Sequence, residues 1–363
     1  MSRPGLDTNP LELGPDWFNQ LFGEIGIDGE VRSLTSKSIG TGQIGENVRF
    51  VFDYARAGAN APKTLVGKFP SASEASIMTA KLLNHYKREV MFYRTFPKVA
   101  GRITPDALYT DYDPETNRFA LIMEDMAPSV QGDQLRGCGP MEARLAMHAA
   151  AALHAAHWED PTLDQHDWLQ GTTSAPPPAL TSEMVAGLWG GFKDRYAAQL
   201  TADLIEVGDA YAASLPKWGE AYQGPFALTH SDYRLDNMLF GPPGAKKPLA
   251  VVDWQTPGKG APANDVAYFI GAGLTREDRP KHEMELLRYY HNCLQAEGIK
   301  TYSFDDLYTH YRWFAFYGIS VAFAAAMLVK QTERGDEMFL TMLRRHCAQV
   351  RDNDSLTLLK TLI

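Results

Sequence analysis

The sequence predicts an α+β chain in two lobes. A small N-terminal lobe carries an antiparallel sheet and one helix, and a larger lobe is mainly helical. Three observations predict this. The segment "ENVRFVFDYA" alternates, with Val48, Phe50 and Phe52 on one face and Arg49, Val51 and Asp53 on the other, which is the period of a half-buried strand. Up to residue 124 the element order is strand, strand, strand, helix, strand, strand, unlike the β-α-β alternation of a parallel sheet. Beyond Asp125 helical periodicity dominates, over 140–158, roughly 180–215, 263–297 and 303–349. The boundary therefore falls near 124–128, and the lobes are 1–124 and 125–363.

Taken in order, residues 12–25 form an amphipathic helix with Trp17, Phe18, Leu21 and Phe22 on one side. The strand "VRSLTSKSI" leads into the glycine-rich "GTGQIG", the alternating strand follows, and "APKTLVGKFP" reads as a third strand between prolines. Residues 74–96 read as one helix, and "DALYTDYD" and "RFALIMED" as two strands around the turn "PETN". Pro and Gly cluster at 170–180 and 241–248, which read as loops.

The composition is that of ordinary globular material, with 45% apolar and 22% charged residues. A formal charge of −9 argues against a nucleic-acid partner, because a polyanion needs a basic face. Cys138, Cys293 and Cys347 lie far apart without a Cys-x-x-Cys pair, which argues against a disulfide framework or structural zinc and fits a cytoplasmic chain. The N-terminal segment has no apolar signal core. Residues 313–329 carry no charge, at the short limit of a membrane span. The Ala-rich composition there reads as a buried helix, so no membrane partner is expected.

Gly40, Gly42 and Gly45 fit G-x-G-x-x-G. Such glycines serve a dinucleotide when a helix follows them, and ATP phosphates when they join two antiparallel strands. The residues after Gly45 alternate like a strand, which favours the second use. On the loop alone an incidental turn stays open.

The strongest local pattern is "LTHSDYRLDNMLF", where His230-x-Asp232 is followed by Asn237, and beyond it "LAVVDWQ" delivers Asp253 to a strand end. Phosphoryl transfer needs a carboxylate to orient a hydroxyl and accept its proton, oxygen ligands for Mg²⁺, and a cation to offset phosphate charge. Asp232 suits the base, Asn237 and Asp253 suit Mg²⁺, and Arg234 suits the γ-phosphate. In the small lobe Lys68 suits the α- and β-phosphates. Glu89, a carboxylate within an apolar helical stripe, needs a partner, and Lys68 would supply it; Glu74, at the helix start, is the weaker alternative for that pair. Glu124, Asp125 and Met126 would offer backbone groups to an adenine edge. His148, His154 and His157 read as core or loop-bracing residues. The aromatics Trp313, Phe314, Phe316 and Tyr317, with Trp189 and Trp254, read as core at helical spacing; as lining for an acceptor pocket, Trp254 has the better claim, being beside Asp253.

Together the glycine loop, Lys68, Glu89, "HSDYRLDN" and "VVDWQ" resemble the aminoglycoside phosphotransferase/choline kinase-like superfamily. "LHAAHW" and "APANDVAYF" add to the likeness, and "DWQ" with "REVMFY" leans toward the ecdysteroid kinase-like and related bacterial branch. The resemblance spans roughly 35–270. It implies a two-lobed protein-kinase-like fold and a transferase moving the γ-phosphate of ATP to a small-molecule alcohol. Asp232 would be the base, Asn237 and Asp253 the metal ligands, Lys68 and Glu89 the phosphate-anchoring pair, and Asp265 a brace for the catalytic loop. Ser231 stands where the family often has Gly, and Asp-Trp-Gln where protein kinases have Asp-Phe-Gly. Two rival readings are a catalytically silent nucleotide-binding protein on the same fold and a dinucleotide-dependent oxidoreductase.

Overall fold

A computed structural model describes residues 9–40, 44–169, 171 and 181–360. Gly42 lies outside the described residues. The chain divides into two compact units, Met1–Ser129 with Val252–Thr256, and Val130–Val251 with Pro257–Ile363. The strip 252–256, which sequence position alone would assign to the larger lobe, belongs with the smaller unit.

The first unit contains α1 (Pro15–Ile25), β1 (Gly29–Ile39), β2 (Gly45–Ala57), β3 (Thr64–Pro70), α2 (Glu74–Leu82), α3 (His85–Thr95), α4 (Pro97–Ile103), β4 (Ala107–Asp113) and β5 (Arg118–Glu124). Its five strands form one antiparallel sheet in the order β1-β2-β3-β5-β4. The alternation in β2 meets its expectation, with Val48, Phe50 and Phe52 buried and Val51 exposed. Phe18, Leu21 and Phe22 of α1 cover that face and pack with Phe50, Phe52 and Leu65. Each such ring contributes about 1.5–3 kcal/mol by leaving water.

The helix expected over 74–96 is interrupted. Asn84 adopts the left-handed conformation at φ 56°, and a new helix starts at His85. Asn tolerates that conformation better than most residues. The break leaves Met78 and Leu82 of α2 exposed, whereas α3 buries Tyr86, Glu89, Val90, Phe92 and Tyr93.

The second unit contains β6 (Val130–Gln131), α5 (Pro140–Ala156), α6 (Ser182–Arg195), α7 (Ala202–Trp218), β7 (Ala227–Thr229), β8 (Met238–Phe240), β9 (Leu249–Val251), β10 (Gly258–Gly260), α8 (Pro262–Gly273), α9 (Arg279–Ala296), α10 (Phe304–Phe314), α11 (Tyr317–Leu328), α12 (Glu333–Asp352) and α13 (Leu356–Leu359). The short strands form two small ladders, β6-β8-β9 and β10-β7. The segment between β7 and β8 links the two ladders. Every residue of α8 is buried, and α10, α11 and α12 pack around it.

By length and composition the stretch Phe304–Leu328 could cross a membrane, but half of its most apolar 18 residues are buried inside the protein. The stretch also breaks at Ala315 and Phe316 into α10 and α11.

Candidate active site

In the first unit the candidate side chains collect around Lys68. β3 runs between β2 and β5, with Lys68 opposite Asn47 and Leu121. Its ammonium lies 2.8 Å from Glu89 of α3 and 2.7 Å from Asp253 Oδ1. Lys68 and Glu89 are both buried. Burial alone would lower the lysine pKa, but Asp253 and Glu89 outweigh it and hold Lys68 above its ordinary value. Burial raises Glu89, with Asp253 adding to the shift and Lys68 opposing it. One ammonium thus serves two carboxylates, and the cluster carries an excess of negative charge.

The strip carrying Asp253 is anchored residue by residue. Trp254 is fully buried and stacks on Phe92 at 3.7 Å with the planes 4° apart. Gln255 donates to Glu89 Oε2 at 3.4 Å. Trp254 is therefore a core residue, which corrects the expectation that it lines an acceptor pocket. Asp253 itself sits at φ 67°, an unusual backbone for a residue with a Cβ.

Among the described residues, β1 ends at Ile39 and its antiparallel neighbour β2 begins at Gly45, so a strand and not a helix follows the glycines. That geometry argues against the dinucleotide fingerprint, which needs a helix N-terminus. Gly40 takes φ 75°, a left-handed backbone suited to glycine. A Cβ on Gly45 would lie 3.1 Å from Phe69 O and 3.3 Å from Lys68 Cε, so the bare backbone packs along the lysine side chain.

At the end of β5, Glu124 donates its N–H to Asp106 O at 2.9 Å, and its Oε1 accepts from Asp106 N–H at 2.8 Å. Asp125 pairs with Arg49 at 2.8 Å. Met126 lies in the turn that follows, its carbonyl accepting from Ser129 N–H at 2.8 Å.

The second unit centres on Asp232. Its carboxylate accepts from Arg234 Nε at 3.0 and 3.1 Å, from Asn237 Nδ2 at 2.8 Å and from Tyr268 O–H at 3.2 Å. Asn237 Nδ2 also donates to the Asp232 carbonyl at 2.9 Å, so both amide hydrogens are engaged at Asp232 and Oδ1 is the side chain's acceptor. Arg234 Nη1 contacts Asp236 at 3.2 Å. Burial would lower Arg234, but Asp232, Tyr268 and Asp236 raise it above its ordinary value. The guanidinium that sequence reasoning gave to a γ-phosphate is here held by two carboxylates. Tyr268 rises well above 10, through burial first and then the charge of Asp232.

The loop beneath Asp232 hangs on Asp265, in the first turn of α8. Asp265 accepts from the N–H of His230 at 2.7 Å and of Ser231 at 2.9 Å. His154 Nε2 lies 3.3 Å from Asp265, and Nδ1 lies 2.8 Å from Tyr290 O–H. His230 Nδ1 accepts from Asp232 N–H at 3.2 Å. Ser231 takes φ 65°, and Tyr317 O–H donates to its carbonyl at 2.8 Å. The left-handed backbone explains why glycine suits this position and why serine strains it. Among the described residues no cluster of three or more His, Cys, Asp or Glu could hold a metal ion.

Sequence reasoning paired Lys68 with Glu89 and grouped Asp253 with Asp232, Arg234 and Asn237; the structure adds the contact of Lys68 with Asp253. It missed Gln255, Tyr268 and the polar role of Tyr86. Their contacts span 166, 36 and 42 residues respectively, and no local spacing announces them.

No curated protein matches the sequence. The family model DUF1679, described as "Uncharacterized oxidoreductase dhs-27", matches residues 225–347. It is the ecdysteroid kinase-like family. Among solved structures, a choline kinase from Cryptosporidium parvum is similar with a TM-score of 0.55 at 10% identity, covering 91% of this chain and 93% of that one. An ethanolamine kinase from Plasmodium vivax gives a TM-score of 0.53 at 11% identity, over 88% of this chain and 84% of that one. The GDP complex of aminoglycoside 2'-phosphotransferase-IIIa gives 0.51 at 14% identity, over 92% and 98%. The chain therefore carries the two-lobed, protein-kinase-like fold of these structures, and its resemblance to the aminoglycoside phosphotransferase/choline kinase-like superfamily holds at the level of the fold.

Proposed function

We propose that the protein is a small-molecule kinase, transferring the γ-phosphate of ATP to an alcohol hydroxyl with Mg²⁺. The observation that carries this reading is the buried ammonium of Lys68 between Glu89 and Asp253, at 2.8 and 2.7 Å. A lysine fixed by a helical glutamate is what a phosphate anchor requires. The negative excess of the cluster suits a divalent cation, and hard oxygen donors suit Mg²⁺.

Asp253 and Asn237 Oδ1 are the ligands proposed for that ion. Mg²⁺ takes one or two protein carboxylates and fills its shell with phosphate and water, so no larger protein cage is needed. When bound, it would offset charge on the phosphates. Lys68 would hold the α- and β-phosphates, and the backbone of Gly40 and Gly45 would approach them closely. Glu124 and Met126 would meet adenine through backbone groups.

Asp232 would orient the acceptor hydroxyl and take its proton as the oxygen bonds to the γ-phosphorus and the bond to ADP breaks. Asn237 and Tyr268 hold the carboxylate by hydrogen bonds, and Arg234 holds it as an ion pair. No covalent enzyme intermediate is needed, because the work is positioning and electrostatics.

Two measurements test the reading. Thermal shift should show stabilisation by Mg-ATP and none by NAD(H). A screen of hydroxylated metabolites should find acceptor-dependent ADP release. Stabilisation by NAD(H) alone would overturn the kinase reading, and ATP binding without turnover on any acceptor would favour the silent nucleotide-binding protein.

A further inference from the structure

Tyr86 is fully buried, and its ring stacks on Phe119 of β5 at 4.5 Å. Packing alone would account for a phenylalanine there. The hydroxyl does more. It donates to Ile44 O at 2.5 Å and accepts from Ser71 N–H at 3.2 Å. The last rung of the β2–β3 ladder pairs Gly45 with Pro70. Ile44 and Ser71 are the next residues out on the two strands, where the ladder has ended. The phenol oxygen stands in for the missing rung and closes the mouth of the hairpin from the side of α3.

The same helix face carries Glu89, one turn further on, which holds Lys68 at 2.8 Å. Gly45 packs along the Lys68 side chain, with a notional Cβ 3.3 Å from Cε. Two side chains of α3 therefore grip the two parts of the expected phosphate site. Glu89 holds the lysine, and Tyr86 holds the end of the glycine segment above it.

We propose that Tyr86 is a positioning residue for nucleotide binding, tying the end of the glycine segment to α3 and so to the Lys68–Glu89 pair. This rests on the kinase reading above. The hydroxyl, not the ring, performs the role.

The test is Tyr86→Phe, which keeps the stacked ring, with Tyr54→Phe as a control. Tyr54 donates to Pro62 O at 2.6 Å, so its variant also loses a tyrosine hydrogen bond, near the far end of β2. The dissociation constant for Mg-ATP is measured by calorimetry, and amide hydrogen exchange is followed in the apo protein. Tyr86→Phe loses both hydrogen bonds and should bind Mg-ATP about tenfold more weakly. Its amides at 44–46 and 71 should exchange faster. Tyr54→Phe should keep wild-type affinity.

Equal affinity in Tyr86→Phe and wild type would overturn the role. So would an equal loss in Tyr54→Phe, since general loosening of the sheet would then explain both. Failure of the wild-type protein to bind Mg-ATP overturns the kinase reading itself, and is read separately from these outcomes.

Discussion

In the first unit one ammonium answers two carboxylates, whereas in the second one carboxylate answers three donors. Lys68 holds Glu89 and Asp253 by charge. Asp232 is held by Arg234, Asn237 and Tyr268, and its loop by Asp265 through two backbone N–H groups. The first arrangement is short of positive charge, so it suits a group that brings more. The second is saturated with donors, so it suits a carboxylate that must stay in one place. On the proposed function, the difference separates an electrostatic receptor from a fixed reactive group.

The strongest way to break this comparison is at Asp232. Asp232→Asn keeps the size of the side chain but removes the proton acceptor. Turnover should fall about 10³-fold while Mg-ATP affinity stays, in line with general-base losses. Steady-state rates with a competent acceptor and calorimetry with Mg-ATP read the two quantities. Wild-type-like turnover would remove Asp232 from the role of base.

Next is Lys68→Met, which leaves Glu89 and Asp253 facing each other without a cation. Removing one partner of a buried pair costs about 3–5 kcal/mol. The lower end is expected, since Glu89, already raised by burial, can take up a proton. Chemical denaturation reads this loss, which should shrink as pH falls. A loss that grows as pH falls would contradict the charge-based account of the first cluster.

The second cluster has its own acid weakness. His346 stacks on Tyr268, with centroids 5.7 Å apart, and is fully buried. Burial pushes it down from 6.5 to about 4, a shift that hydrogen bonding to Gln349 only partly opposes. Between those values the unfolded chain binds a proton that the folded protein refuses, so stability rises with pH through this window. The contribution is fully present above 6.5 and fades toward 4, by about 3 kcal/mol in all. Denaturation curves across that range should show a slope that His346→Gln flattens. An unchanged slope would reassign the effect.

The smallest expected change is Ser231→Gly. It relieves the Cβ at φ 65° but frees the unfolded chain. Stability should stay within about 1 kcal/mol of wild type and turnover should be unchanged. A large loss of turnover would mean that the serine hydroxyl, 3.2 Å from Thr229 Oγ1, matters to the loop.

The N-terminal sheet was legible because β2 buries every second residue, and a period of two survives in one dimension. The helix break at Asn84 was not, because Leu82 and Leu83 continue an apolar run that reads as unbroken. The Lys68–Glu89 contact was legible from cost, since a carboxylate among buried apolar neighbours demands a cation. Trp254 misled, because the flatness that suits a ring to line a pocket equally suits it to stack on Phe92. Tyr268 and Tyr86 gave no polar signal. Their rings fit the apolar pattern of their helices, and a hydroxyl's partner across the chain leaves no trace in local spacing.

The strip Val252–Thr256 has a practical consequence for anyone dissecting the molecule by genetics. A fragment ended at Ser129 would lack it, leaving Lys68 with one carboxylate and the face of Phe92 bare. The smaller unit is therefore not severable at its apparent boundary. Grafting it elsewhere would require carrying along a second, distant piece of gene.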